Sequence, residues 1–145
     1  MKTFSIEKSL LIKVPPRVIF EALTNSEKIV QYYPLKEVVS DWQVGSEIIG
    51  KGSNNNQDFI DYRTIDVLIP NQKFQYTYWS DNHGTERIPE NYLTICYTLF
   101  PSNKGTILKL EHHNIKSQKM YSDMLNIWDF LLSNLKEFVE KNYSK

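Results

Sequence analysis

Between Met120 and Asn142 apolar residues hold the period of an α-helix for about six turns. Met124, Ile127, Trp128, Leu131, Leu135, Phe138 and Val139 fall on one face, and Leu125 and Leu132 widen the stripe beyond what a minimal surface helix needs. A stripe that broad must lie against a broad apolar surface. Nearly everything between Glu37 and Asn114 reads as β-strand, so the partner is one large curved sheet that grips the helix. A long helix crossing a curved sheet leaves room for an apolar cavity between the two, a natural ligand pocket.

The rest of the sequence is compatible with one domain spanning residues 1–145. With 41% hydrophobic and 13% aromatic residues, it can bury a core without disulfides or metal. Its 17 basic and 17 acidic residues cancel, so no electrostatic footprint points to nucleic acid or an anionic membrane. Cys96 is the one cysteine, and the run Leu10–Leu11–Ile12 is far too short for a signal-peptide core or a membrane span. The expected location is the cytoplasm.

Phe4, Ile6, Ser9 or Leu10, Ile12 and Val14 make a long first strand, closed by Pro15–Pro16. Proline is tolerated in a first helical turn because its missing N–H has no partner there, so Pro16 opens a short helix over Arg17–Leu23. Thr24 and Glu27 have capping-box spacing, which predicts a second short helix over Ser26–Gln31. Turn residues then divide six further strands: Glu37–Asp41, Glu47–Lys51, Phe59–Ile69, Lys73–Ser80, Asn91–Phe100 and a last one carrying Thr106, Leu108, Leu110 and His112 on one face. In the fourth of these, Phe74, Tyr76 and Tyr78 alternate with Lys73, Gln75 and Thr77, which puts the aromatic face inside. The polar stretches Ser80–Glu90 and Gly50–Asp58 read as loops, the first being the longest candidate lid over a pocket mouth.

Specific residues in this order resemble a known family. The segment Val14–Glu27 (VPPRVIFEALTNSE), Val44–Gly45, Pro70 followed by Lys73–Tyr78, Thr98–Pro101 and Gly105–His112 are similar to the domain named after the activator of the Hsp90 ATPase. That domain is a branch of the START-like, Bet v 1-like (SRPBCC) superfamily. Trp128 with Leu131, Leu132 and Leu135 resembles its closing helix, so the likeness covers almost the whole chain. Tyr32 stands where members usually carry tryptophan. The resemblance implies an α+β helix-grip fold: a curved antiparallel sheet of about seven strands, two short helices after the first, and a long C-terminal helix across the sheet. It also implies an interior pocket of the kind that carries lipids, hormones or polyketides, and little chemistry, because only some branches catalyse anything. The family's co-chaperone activity belongs to larger proteins with an additional Hsp90-binding domain, for which this chain is too short.

Each polar candidate has a functional and a structural reading. His112 shares a face with Leu108 and Leu110 and is either a general base in the cavity or a hydrogen-bonded core histidine. Tyr76, Tyr78 and Tyr97 bring phenols to the inner face, where they line a pocket or fill the core and bond to backbone, Asp61 or Arg63. His83 and His113 read as surface residues, and Cys96 as a small residue on the outer side of the sheet. No metal-ligand spacing or nucleophile motif occurs, so no metal or cofactor is expected.

The expected function is non-enzymatic binding of a small apolar or aromatic ligand between the sheet and the last helix. The candidate binding residues are Phe74, Tyr76, Tyr78, Ile95, Tyr97, Leu108, Leu110, His112, Met124, Ile127, Trp128 and Leu131. Two alternatives belong to other classes: a cyclase, hydratase or isomerase using His112 or a cavity tyrosine, and an Hsp90-related chaperone-partner or stress-response module. No nucleic-acid partner or membrane insertion is expected, and the chain reads as a monomer or homodimer.

Overall fold

The computed structural model describes residues 3–54 and 56–143. In chain order its elements are β1 (Phe4–Ile12), α1 (Pro16–Leu23), α2 (Ser26–Tyr32), β2 (Glu37–Ser40), β3 (Glu47–Asn54), β4 (Gln57–Ile69), β5 (Lys73–Ser80), β6 (Leu93–Ser102), β7 (Gly105–Ile115) and α3 (Gln118–Asn142). The strands form one antiparallel sheet in the order β1-β7-β6-β5-β4-β3-β2, curved around α3. Register shifts between Phe4 and Ile6 and between Ile65 and Val67 mark irregularities of the kind that bend a strand and increase its twist.

Cross-strand register explains why the concave face is a core. Ile65, Tyr76, Ile95, His112 and Ile6 follow one another across five strands, and all are buried. Leu68, Phe74, Tyr97 and Leu110 form the next rung, with Phe74 and Tyr97 stacked at 6.2 Å. Strand parity sends the intervening residues to the other face, where Trp79 meets Tyr62 at 6.1 Å and Cys96 is buried among side chains of the sheet's outer side. From α3, Trp128, Leu131, Leu132, Leu135 and Val139 close the core. At the β6–β7 turn, Gly105 has φ of +138° and a side chain there would meet Ile12 O at 2.3 Å, so only glycine fits against the end of β1.

Three local expectations change. The cap of α2 is Asn25, whose side chain accepts from Lys28 N, while Thr24 Oγ1 donates back to Phe20 O and ends α1. The amide oxygen of Asn25 reaches the open end of α2 because Thr24 is the C-cap of α1, its N–H held by Phe20 O and Glu21 O. The polar stretch 50–58 is largely hairpin: β3 and β4 stay paired out to Asn54↔Gln57, and Asn55 lies outside the described residues. Polar composition conceals these strands because the hairpin projects beyond the core. Gly52 matters there, since a Cβ would lie 2.5 Å from the ring of its cross-strand partner Phe59, which covers the glycine backbone. The stretch 80–90 contains single turns of tighter helix at Asp81–His83 and Pro89–Asn91.

Candidate functional site

The centre of the grip is packed. Trp128 Nε1–H donates to His112 Nδ1 at 2.9 Å, and the Trp128 ring meets Tyr97 edge-on at 6.1 Å. A void of about 10 Å³ lies deep inside, bounded by Leu23, Ile29, Tyr32, Tyr33, Arg63, Phe74, Tyr76 and Tyr97. That is room for about one water and no larger ligand.

Usable volume lies further along the groove, toward the start of α3. A cleft of about 450 Å³ opens between the chain after α2 (Tyr33, Pro34), β4 and β5 (Phe59, Asp61, Tyr78, Ser80), the turn at Asn82 and His83, and the first turns of α3 (Met120, Met124, Ile127, Leu131). Its walls are aromatic and aliphatic, with the polar side chains of Asp61, Ser80, His83, Lys119 and Asp123 among them. A groove of about 440 Å³ between α2 and α3 is similar in size, but its lining is mainly Gln31, Asn134, Glu137, Lys141 and Asn142 and does not reach the concave sheet.

Beneath the cleft is a buried ion pair. Asp61 and Arg63, two apart on β4, share the concave face, and Arg63 donates to Asp61 at 3.3 Å. The guanidinium also lies 4.9 Å from the Tyr76 ring centre and 5.1 Å from that of Tyr33. Burial pulls its pKa down, but the Tyr76 and Tyr33 oxygens and the Asp61 carboxylate more than offset this and hold it well above its usual value. Burying both ions is expensive, and here the aromatic rings replace the lost water. Burial pushes the phenols of Tyr33, Tyr76, Tyr78 and Tyr97 upward, so none is a base near neutrality.

His112 is fully buried and its pKa is pushed down to about 3, chiefly by desolvation. It is the hydrogen-bonded core histidine and does not line the cleft. His83, expected at the surface, does line it: Nδ1 accepts from Ser80 N, the ring packs edge-on against Tyr78 at 5.4 Å, and burial lowers its pKa against the opposing pull of Asp61 and Asp81. His113, on the outer face, is bonded to Ser5 Oγ at 3.0 Å.

Of the twelve residues expected at the site, Tyr78, Met124, Ile127 and Leu131 line the cleft. Phe74, Tyr76, Ile95, Tyr97, Leu108, Leu110, His112 and Trp128 are packed in the core behind it. Ile127, placed on the buried helix face by its period, is 43% exposed at the rim, because the cleft removes the sheet from beneath it. Sequence reasoning missed Tyr33, Pro34, Phe59, Met120 and the polar floor; the inward parity of Asp61 was visible, but the chain after α2 carries no periodic signal. Among the described residues, no group of three or more His, Cys, Asp or Glu could hold a metal, and no helix is long and apolar enough to cross a membrane.

A long helix held in a curved seven-stranded sheet, with two short helices at one end, defines a helix-grip protein of the Bet v 1-like type. The model of the Activator of Hsp90 ATPase homolog 1-like protein family matches residues 13–140, and the chain belongs to that family. The solution structure of ChR145 from Cytophaga hutchinsonii is similar, with 31% identity, a TM-score of 0.84 and 97% of each chain covered. SA2116 from Staphylococcus aureus, a protein of unknown function, shares the fold at 15% identity and a TM-score of 0.81, covering 97% of this chain and 95% of that one. Ara h 8.0201 does so at 13% identity and a TM-score of 0.79, covering 97% of this chain and all of the other. No curated protein matches the chain.

Proposed function

We propose that the chain acts as one ligand-binding domain that holds a small apolar or aromatic molecule in the cleft at the start of α3, without turning it over. The observation that carries this reading is the cleft of about 450 Å³ walled by Phe59, Tyr78, Met120, Met124, Ile127 and Leu131. It has the concave shape, the size and the apolar lining of a small-molecule site. The bulk of Tyr76, Tyr97 and Trp128 closes the groove behind it and sets its depth. Family membership supports the same reading, since the fold commonly binds hydrophobic ligands.

Binding without catalysis is favoured because the imidazole best placed by sequence is away from the cleft and neutral, and the phenols are not basic near neutrality. The neutral charge balance and lack of a long apolar helix among the described residues fit a cytoplasmic carrier or sensor. Thermal-shift screening of fatty acids, sterols and flavonoids, with native mass spectrometry of freshly purified protein, tests the proposal. A stabilising ligand displaced by substitution at Met124 or Ile127 supports it. Absence of stabilisation across the panel together with no co-purified mass overturns it.

A further inference from the structure

The cleft and the inner void lie side by side on one face of the sheet. On β4, Asp61 lines the cleft and Arg63 the void; on β5, Tyr78 lines the cleft and Tyr76 the void. Each pair is two residues apart, and two residues of strand span about 7 Å, so the spaces are separated by roughly the length of one side chain. The paired strands β4 and β5 run on beneath both. What divides the two spaces must therefore come from above the sheet.

Tyr33 is placed to be that divide. Among the described residues it alone lines both spaces. It is the first residue beyond α2: its N–H still donates to Ile29 O at 2.9 Å, its backbone is already extended, and Pro34 after it favours that conformation. The chain thus leaves the helix with the Tyr33 ring against the sheet, where the Arg63 guanidinium lies 5.1 Å from the ring centre. Arg63 is itself held by Asp61 and the Tyr76 ring, so Tyr33 rests on a fixed partner. The other walls of the void, from Leu23 and Ile29 to Phe74 and Tyr97, are core side chains that do not reach the cleft.

We infer that Tyr33 determines the length of ligand the site accepts: its ring is the partition between cleft and void, and a smaller side chain there joins the two into one deeper apolar cavity that takes a longer ligand. Tyr76, Tyr97 and Trp128 close the groove as a whole, and Tyr33 decides how much of it a ligand can use. The space gained is that of the phenol ring together with the void behind it, walled by Phe74, Tyr76 and Tyr97. Apolar length buried there strengthens binding in proportion to the area removed from water. This inference rests on the ligand-binding reading.

Straight-chain alcohols, from hexanol through octanol and decanol to dodecanol, test it by titration of the full chain followed through its amide NMR signals. In the parent, affinity is expected to rise with chain length and to level off once the cleft is full. In Tyr33→Ala the rise continues, and dodecanol binds at least about tenfold more tightly than to the parent, the gain of about two further buried methylenes. Dodecanol should then shift the amides of Phe74 and Tyr97 in the variant and not in the parent. Tyr33→Phe keeps the ring and should behave as the parent. So should Leu23→Ala, which enlarges the void where it does not meet the cleft and leaves the partition standing. If Tyr33→Ala does not fold, Tyr33→Leu, which shortens the partition and stays apolar, carries the same expectation at smaller amplitude. Levelling off at the same alcohol in the parent and the shortened variant, or an equal lengthening in Leu23→Ala, overturns the role of Tyr33 and leaves ligand binding intact. If no alcohol binds the parent or any variant, the ligand-binding reading falls and the role of Tyr33 with it.

Discussion

Trp128 donates its indole N–H to Nδ1 of His112 across 2.9 Å, and both side chains are buried. An indole nitrogen can only donate, so Nδ1 must accept and the proton of the neutral imidazole lies on Nε2. Among the described residues that Nε2–H has no hydrogen-bond partner. A second proton on Nδ1 would point at the indole N–H and cannot be accommodated without breaking the pair. Geometry and desolvation therefore act in the same direction, and His112 serves as a neutral strut between β7 and α3.

A pH dependence of stability follows. The imidazole titrates at 6.5 when free and is pushed down to about 3 in the fold, so between these values the unfolded chain binds the proton and the folded chain does not. Its contribution is therefore full above about pH 6.5 and declines by up to about 1.4 kcal/mol per unit as pH falls toward 3. His112→Asn keeps an acceptor near Nδ1 for Trp128 and does not titrate. Urea midpoints from pH 7 to pH 4 are expected to fall less steeply in that variant than in the parent; parallel curves would show that His112 is not buried as a neutral group.

The Asp61–Arg63 pair makes a second, sharper expectation. Asp61→Asn leaves a guanidinium at 5% exposure without its counter-ion, a change of the kind that destabilises by about 3–5 kcal/mol. Removing both charges with Asp61→Asn and Arg63→Gln is expected to restore a large part of that loss. A double-mutant cycle by chemical denaturation measures the coupling, and additive losses would mean that the two side chains are solvated.

The sequence makes the scaffold easy to read and the site hard to read, for different reasons. Helical period in α3 and alternation in β5 and β7 are direct consequences of which face is buried, so Trp128, Leu135, Phe74, Tyr76 and Leu108 announce themselves. The cleft lies where that periodicity loses its meaning: Ile127 belongs to the apolar stripe yet stands at a rim, and Phe59 gains its position from the missing side chain of Gly52 on the next strand. Whether an inward-facing tyrosine lines a pocket or fills the core depends on how closely α3 approaches the sheet at that level. Tyr78 and Tyr97 are on neighbouring strands with the same parity, and only the first reaches the cleft.

Position along α3 should separate stability from binding. Leu135→Ala, away from the cleft, removes a buried side chain and is expected to destabilise by about 2–5 kcal/mol. Ile127→Ala, at the exposed rim, is expected to cost under about 1 kcal/mol while weakening any ligand found by the screen severalfold. Denaturant titration and ligand titration on the same two variants check the split. Equal stability losses would place Ile127 in the core and close the cleft at that level.

The final expectation concerns residues 80–90, which composition predicts as a loose lid. The segment is tied along its length: Asp81 Oδ1 accepts from Ile60 N at 3.0 Å, Ser80 and His83 cap the tight turn, Trp79 Nε1–H donates to Thr85 Oγ1 at 3.1 Å, and Arg87 lies 3.6 Å over the Tyr62 ring. Those bonds hold Asn82 and His83 in place as part of the cleft wall. Trp79→Phe deletes the indole donor and keeps an aromatic ring against Tyr62, so the sheet should be largely unaffected while the tether to Thr85 is lost. Amide exchange at Asn82–Thr85 is expected to quicken in the variant with little change in the exchange of β5 and β6, and ligand dissociation should accelerate with it. Exchange as fast in the parent as in the variant would mean that the Trp79–Thr85 bond does not restrain the segment, and that the cleft opens independently of it.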